Sequence, residues 1–293
     1  MTLQTFVQNL VFGLFLGGLY GMAAVGLSLV FGVMKVLNVA HGELIMLGGY
    51  ATFWLFSLYN VDPFVSLLLC GPLLFLLGLA LNRGLYGFVT RMDEESKIKN
   101  SLLISFGLAL ILQNLAIWSW TADERAVTTA YQGQSAIVGG IVLPYTRLFG
   151  LLASLVAVLA LHVFLRRSYL GKAIRATALD WEAATLAGVD VQRVYLITFG
   201  LGAALAGIAG TLVSIGYAIA PSIGLAWTLK ALVVVVLAGM GSIFGAFAAG
   251  LVLGAAEAIA ATVSGGATYR EVVGLALFLL ILLLRPQGLF GRR

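Results

Sequence analysis

Residues 1–34, MTLQTFVQNLVFGLFLGGLYGMAAVGLSLVFGVM, contain no charged side chain, and the run ends only at Lys35. About 20 apolar residues let a helix cross a hydrocarbon core of roughly 30 Å, so this stretch is long enough to span a membrane. It lacks a basic start and runs far beyond the apolar core of a cleavable signal, which predicts a retained span. Gly13, Gly17 and Gly21 make two overlapping GxxxG steps. That spacing puts small residues on one helical face, where a second backbone can come close. Gly241 with Gly245, Gly250 with Gly254, and Ala206 with Gly210 repeat it, and the expected use is internal helix packing.

The chain as a whole has the same character: of its 293 residues 61% are hydrophobic and 10% charged. A soluble domain is about a quarter charged, so this chain cannot cover a water-facing surface. With a mean hydropathy of +1.05, the composition excludes a soluble enzyme, a nucleic-acid binder and a disordered chain. Further charge-free intervals fall at 44–61, 63–82, 100–122, 148–165, 194–229, 231–256 and 272–284. The predicted fold is all-α: a polytopic helical membrane protein, one transmembrane domain over 1–293, with about eight transmembrane helices and Gly-broken or re-entrant segments. Segment 126–146 reads as a polar loop with a short apolar stretch. The single Cys70 excludes a disulfide framework or a multi-Cys metal site.

Basic residues set the predicted orientation, because loops rich in Lys and Arg stay in the cytoplasm. Arg83, Arg91, Lys97 and Lys99 fall in one loop, Arg166, Arg167, Lys172, Arg175 and Arg193 in another, and Arg285, Arg292 and Arg293 in the tail. These regions are expected inside, with the C-terminus. The N-terminus, the turn at Asp62 and Pro63, the loop near 122–147 and the stretch from Glu257 to Glu271 are expected outside. The net charge of +5 then follows from topology and calls for no nucleic-acid partner.

Two stretches interrupt the apolar pattern. The first runs from Val33 to Glu43 through Asn38, His41 and Gly42; the second holds Gly239, Gly241 and Ser242 and continues to Gly245. Irregular polar backbone is tolerated at membrane depth only when protein buries it or it lines a cavity. Paired interruptions in the two halves would suit a transporter built from structural repeats, and the alternative is an ordinary turn before a helix. Either residues 225–239 dip to a turn at Gly239, Gly241 and Ser242 and residues 243–262 return, or the first limb is a re-entrant half-helix.

His41 and Glu43 stand two positions apart and do not share a helical face, so metal or acid-base chemistry is disfavoured. A polar turn near a translocation pathway, or one at the interface, is expected there instead. Glu257 reads as a solvated helix terminus and His162 as interfacial, while Trp118, Trp120, Tyr131 and Tyr145 read as an outer aromatic belt. The chain has no phosphate-binding loop, nucleophile elbow or His-Glu-x-x-His. Neither cofactor nor metal is predicted, and any ATP hydrolysis must come from another polypeptide.

Residues 166–193 carry the most information. Leu179, Ala183, Leu186 and Ala187 recur at helical spacing as a mainly apolar side. Asp180 is expected to cap a short helix that stops at Gly188. Spacing alone fits equally an amphipathic helix on the headgroups and a docking helix for a cytoplasmic partner.

Here the chain resembles an ABC importer permease. Glu182-Ala183-Ala184, followed after three residues by Gly188, is similar to the EAA loop through which such permeases touch their ATPases, although the usual Ile-x-Leu-Pro ending is absent. Asn38-Val39-Ala40-His41-Gly42-Glu43 resembles the Asn-Phe-Ala-His-Gly-Glu region of the branched-chain amino acid permease family. Lys230-Ala231 through Gly239-Met240-Gly241-Ser242 and Gly245 is similar to that family's Lys-Ala and Gly-Gly-x-Gly-Ser series, with Ala238 in place of the first glycine. Arg285-Pro286-Gln287-Gly288-Leu289-Phe290-Gly291 resembles its Pro-x-Gly-(Leu/Ile)-x-Gly tail.

The resemblance implies the shorter of two related permease subunits of an ABC importer in a bacterial inner membrane, not an enzyme. It implies as partners a second homologous permease, two cytoplasmic ATP-binding subunits, a periplasmic solute-binding protein and the lipid bilayer. The implied solutes are branched-chain or related amino acids, with urea or amides as the alternative within the family. ATPase coupling is expected of Gly171, Lys172, Arg175, Asp180, Glu182, Ala183, Ala184 and Gly188. The pathway is expected at Asn38, His41, Gly42, Glu43, Gly239, Gly241 and Ser242. A rival class, the ion-coupled secondary transporter, would need more polar side chains inside the spans than Gln113, Asn114, His41 and Glu43.

Overall fold

The computed structural model describes residues 3–90, 92–264, 269–285 and 287–290. Arg91, Pro286, Gly291, Arg292 and Arg293, which enter the charge census and the tail motif, lie outside the described residues. The helices are α1 (Leu3–Met34), α2 (His41–Tyr59), α3 (Pro63–Leu81), α4 (Gly87–Val89), α5 (Glu94–Trp120), α6 (Tyr145–Arg167), α7 (Tyr169–Leu179), α8 (Trp181–Leu186), α9 (Val191–Gly216), α10 (Ile223–Ala238), α11 (Ile243–Ser264) and α12 (Tyr269–Leu284). A π-helical turn, Asn82–Tyr86, joins α3 to α4. Among the described residues six helical stretches are long and apolar enough to cross a membrane, and α10 is a shorter apolar helix beside them. The polytopic helical fold read from composition is the observed one.

Short polar residues set the helix starts. Asp62 accepts from the Phe64 amide with Pro63 in the first turn, Asp93 from Ser96, Ser168 from Gly171 and Asp190 from Arg193. Each cap satisfies an amide that the first helical turn leaves without a partner. The predicted loop 126–146 does contain regular structure: β1 (Ser135–Val138) and β2 (Ile141–Pro144) pair antiparallel, Ala136 opposite Leu143. Gln8 ties this hairpin to the start of α1 by bonds of 2.8 and 2.7 Å with Val142.

α1 and α9 form the centre of the bundle, whereas α3, α5 and α6 are mostly exposed. α1 packs most extensively on α11, α9 on α3 and α2. The GxxxG steps explain the first contact. A Cβ on Gly17 would lie 2.7 Å from the Gly250 carbonyl oxygen, and one on Gly21 2.9 Å from that of Phe247. Backbones so close give van der Waals contact where lipid supplies no hydrophobic drive between helices.

Candidate functional site

The first interruption lies deep in the bundle. α1 ends at Met34, Lys35 adopts a left-handed φ of 55°, and α2 does not start until His41. The His41 Nε2 is 2.9 Å from the Ala23 carbonyl oxygen, eleven residues back from Met34, or about 16 Å along α1 at 1.5 Å per residue. Residues 35–40 therefore climb back beside α1, and α2 begins within the bundle. The break is narrower than the predicted Val33–Glu43, because Val33 and Met34 complete α1 and His41 to Glu43 open α2.

This joint is partly to fully buried, and hydroxyls from neighbouring elements satisfy its backbone polar groups. Ser101 Oγ accepts from the Leu37 amide at 3.1 Å, and Ser105 Oγ shares its one proton between the Leu102 carbonyl of its own helix at 3.1 Å and the Leu37 carbonyl at 3.3 Å. Thr228 Oγ1 donates to the Val39 carbonyl at 2.9 Å and accepts from the Gly42 amide at 2.8 Å. Tyr86 donates to Asn38 Oδ1 at 3.1 Å. An unpaired amide or carbonyl here would cost about 1–3 kcal/mol, so these hydroxyls are what permit irregular chain at this depth.

The joint is also a helix crossing. A Cβ on Gly42 would overlap the Gly224 carbonyl oxygen and Thr228 Oγ1, while one on Gly224 would overlap the Glu43 carboxylate. The starts of α2 and α10 thus meet. Glu43 Oε2 is buried without a hydrogen-bond partner among the described residues. His41 faces α1 and Glu43 faces α10, as their two-residue offset requires, so the pair does not act as one chemical unit.

Gly239, Gly241 and Ser242 do not join this cluster. They line a separate cavity of about 590 Å³ with Gly32, Lys35, Arg175, Leu179 and Phe290. Gly239 and Gly241 both have φ of 92°, and Gly32 faces Gly241 so closely that a Cβ on it would lie 2.7 Å from the Gly241 Cα. α10 therefore runs from the buried joint to the end of the bundle that carries α7. Its 16 residues cover about 24 Å, and it is short because it starts deep.

At that end α7 and α8 form an elbow. Asp180, extended at φ −156°, ends α7 and caps α8 through the Glu182 and Ala183 amides, and Gly188 stops the segment with φ +84°. Asp180 and Gly188 thus act as their sequence predicts. The continuous apolar side does not form. The bend at Asp180 separates Leu179 from the rest, and Leu179 and Leu186 are 78% and 91% exposed. Ala184 is buried inward, Glu182 and Ala183 face out, and on α7 Gly171 is buried while Lys172 and Arg175 are exposed. Lys97 of α5, itself buried, places its Nζ 5.4 Å from the Trp181 ring centre and 5.9 Å from that of Tyr195.

Glu257 does not stand at the solvated helix end that its sequence context predicts. α11 continues to Ser264, so Glu257 lies two turns inside the helix and is 1% exposed. It pairs with Lys230 at 2.6 Å and accepts from the Tyr20 hydroxyl at 3.1 Å. A charge that sequence places at a wet helix end is buried because its counterion lies on the neighbouring helix. The aromatic belt is mixed: Trp118 is 85% exposed, but Trp120 stacks on Tyr50 with ring centres 4.4 Å apart. Thr228, Ser101, Ser105, Tyr86 and Tyr20 were not singled out in the sequence. The four-residue spacing of Ser101 and Ser105 on an apolar helix is the one signal that points to any of them.

Comparison with known proteins adds an independent finding. A family model described as the branched-chain amino acid transport system permease component matches residues 9–282. The permease protein BraD of the high-affinity branched-chain amino acid transport system of Pseudomonas aeruginosa is 33% identical, over 98% of this chain and 96% of its own length. LivH of the corresponding Escherichia coli system is 33% identical with the same coverage. LivM, a second permease of that system, is 34% identical over 143 residues, 47% of this chain and 33% of its own length.

Proposed function

The chain belongs to the branched-chain amino acid transport permease family, and from that premise we propose that it is the membrane subunit of an importer for branched-chain or related amino acids, worked by two cytoplasmic ATPases. A second homologous permease completes the membrane unit, and a periplasmic solute-binding protein delivers the solute. The inner membrane holds the complex, with the end bearing α7 and α8 in the cytoplasm and the start of α1 outside.

The observation that carries this reading is the α7–α8 elbow. It exposes Leu179 and Leu186 beside Glu182 and Ala183, at the end where Arg166, Arg167, Lys172, Arg175 and Arg193 gather. Large apolar side chains held outside the bundle on a capped, Gly-terminated element suit a partner's groove. Closure of the ATPases on ATP pushes the 171–188 segment, and the bundle shifts around the Asn38–Glu43 joint and the Gly239–Ser242 cavity. Close glycine crossings let the helices slide.

The test is uptake of radiolabelled L-leucine by proteoliposomes holding the permease pair, ATPases and binding protein. Uptake is expected to need ATP, and Glu182→Ala and Gly188→Val are expected to abolish it while leaving the chain inserted. Wild-type uptake in both variants would refute the docking role. Uptake that survives without ATPases and follows an ion gradient would refute the class. Competition by urea or amides, and not by leucine, would move the substrate within the family.

A further inference from the structure

α5 is mostly exposed, yet one face of it carries three buried polar side chains. Lys97, Ser101 and Ser105 stand four residues apart, which puts them on one side of a helix, and they are 5%, 0% and 0% exposed. Burying polar groups costs free energy unless each finds a partner, so the partners show what this face connects. At one end the Lys97 ammonium lies over Trp181, the first residue of α8, and also over Tyr195 of α9. At the other, Ser101 accepts from the amide of Leu37 in the α1–α2 joint, and Ser105 shares its proton between the Leu37 carbonyl and Leu102 of its own helix. Lys97 to Ser105 spans about 12 Å of rigid helix. A cavity of about 360 Å³ beside Trp181, lined also by Lys97, Thr185 and Gln192, leaves α8 room to move against this face.

We propose that this face of α5 transmits displacement of α8 to the buried joint. Trp181 moves Lys97 by cation–π contact, α5 moves as a unit, and the two serines shift the Leu37 backbone to which they are bonded. Lys97, Ser101 and Ser105 are then positioning residues for transport. The proposal rests on the reading of α7–α8 as the contact with the ATPases. Direct packing of α8 on α9 would carry the motion to the centre of the bundle without α5.

The experiment uses the complete importer in nanodiscs, with partner subunits free of cysteine and Leu37→Cys introduced into a Cys70→Ser permease. Labelling by a water-soluble maleimide is timed without nucleotide and with ATP and vanadate. The labelling rate is expected to differ about fivefold or more between the two states, the lower end of ordinary allosteric coupling. Ser101→Ala with Ser105→Ala, and separately Lys97→Gln, should remove most of that difference while the ATPases still co-purify; Lys97→Arg should keep it. A full difference in either disabling variant overturns the proposal, as does none in the parent complex. Failure of the ATPases to co-purify with the unmodified permease instead overturns the docking reading. Should the serine variant not fold, the Lys97 pair of variants decides.

Discussion

Lys230 on α10 and Glu257 on α11 close a 2.6 Å ion pair within the apolar bundle, and Tyr20 on α1 donates to the other carboxylate oxygen. Three helices thereby share one charge-neutral knot. The Lys230 Nζ also lies 5.5 Å from the Tyr20 ring centre, which adds cation–π attraction to the ion pair.

Removing one partner strands the other's charge. Glu257→Ala is expected to destabilise the protein by about 3–5 kcal/mol, read as a lower unfolding midpoint in detergent. Lys230→Met combined with Glu257→Gln should recover most of the loss. Additive losses in the double variant would contradict a coupled pair.

Thr228 serves the joint with one hydroxyl used twice. Thr228→Val keeps the shape but strands the Val39 carbonyl and the Gly42 amide, at about 1–3 kcal/mol for each. Thr228→Ser should stay near wild type. Equal unfolding midpoints for the two variants would show that packing, not hydrogen bonding, holds the joint.

Glycines in α1 and α11 should respond differently from a glycine in open space. Gly250→Ala would bring its new methyl within overlap of the Gly21 backbone, an overpacking of about 1–3 kcal/mol. Gly107 on α5 has nothing within 4 Å of a new Cβ, so Gly107→Ala should be neutral or stabilising by up to about 1 kcal/mol through helix propensity. Size-exclusion profiles after graded heating separate the two, and a reversed order would count against close helix contact.

At the elbow, Asp180→Ala removes a cap that holds two amides of α8. Loss of such a cap costs about 1 kcal/mol, too little to unfold the bundle but enough to fray a six-residue helix. Protease cleavage near Leu186 is expected to accelerate, while the unfolding midpoint of the whole chain barely moves.

Several of these features are legible in the chain itself. The cap at Asp180 and the stop at Gly188 depend on local backbone chemistry, so their residue types announce them. The GxxxG steps at Gly13, Gly17 and Gly21 announce a close crossing but not its partner. Glu257 reads as a helix end because sequence shows an acid after an apolar run without showing Lys230, 27 residues back, on the helix beside it. The interruption around Asn38 is legible as polar residues between apolar runs, although His41, Gly42 and Glu43 belong to α2 rather than to the break, and the hydroxyls that make the break tenable lie 48 to 189 positions away.

The amino-acid order by itself determined that the chain lives in lipid, where its helices run and where they are interrupted, since each of these follows from counting charges, apolar runs and helix breakers along one dimension. Only the tertiary structure decided which face of each helix meets protein, that the starts of α2 and α10 touch, and which distant hydroxyl or counterion neutralises each buried polar group. The reason is physical: a helix apolar on every side carries little amphipathic signal to say which side is buried, so its neighbours become known only once the bundle is packed.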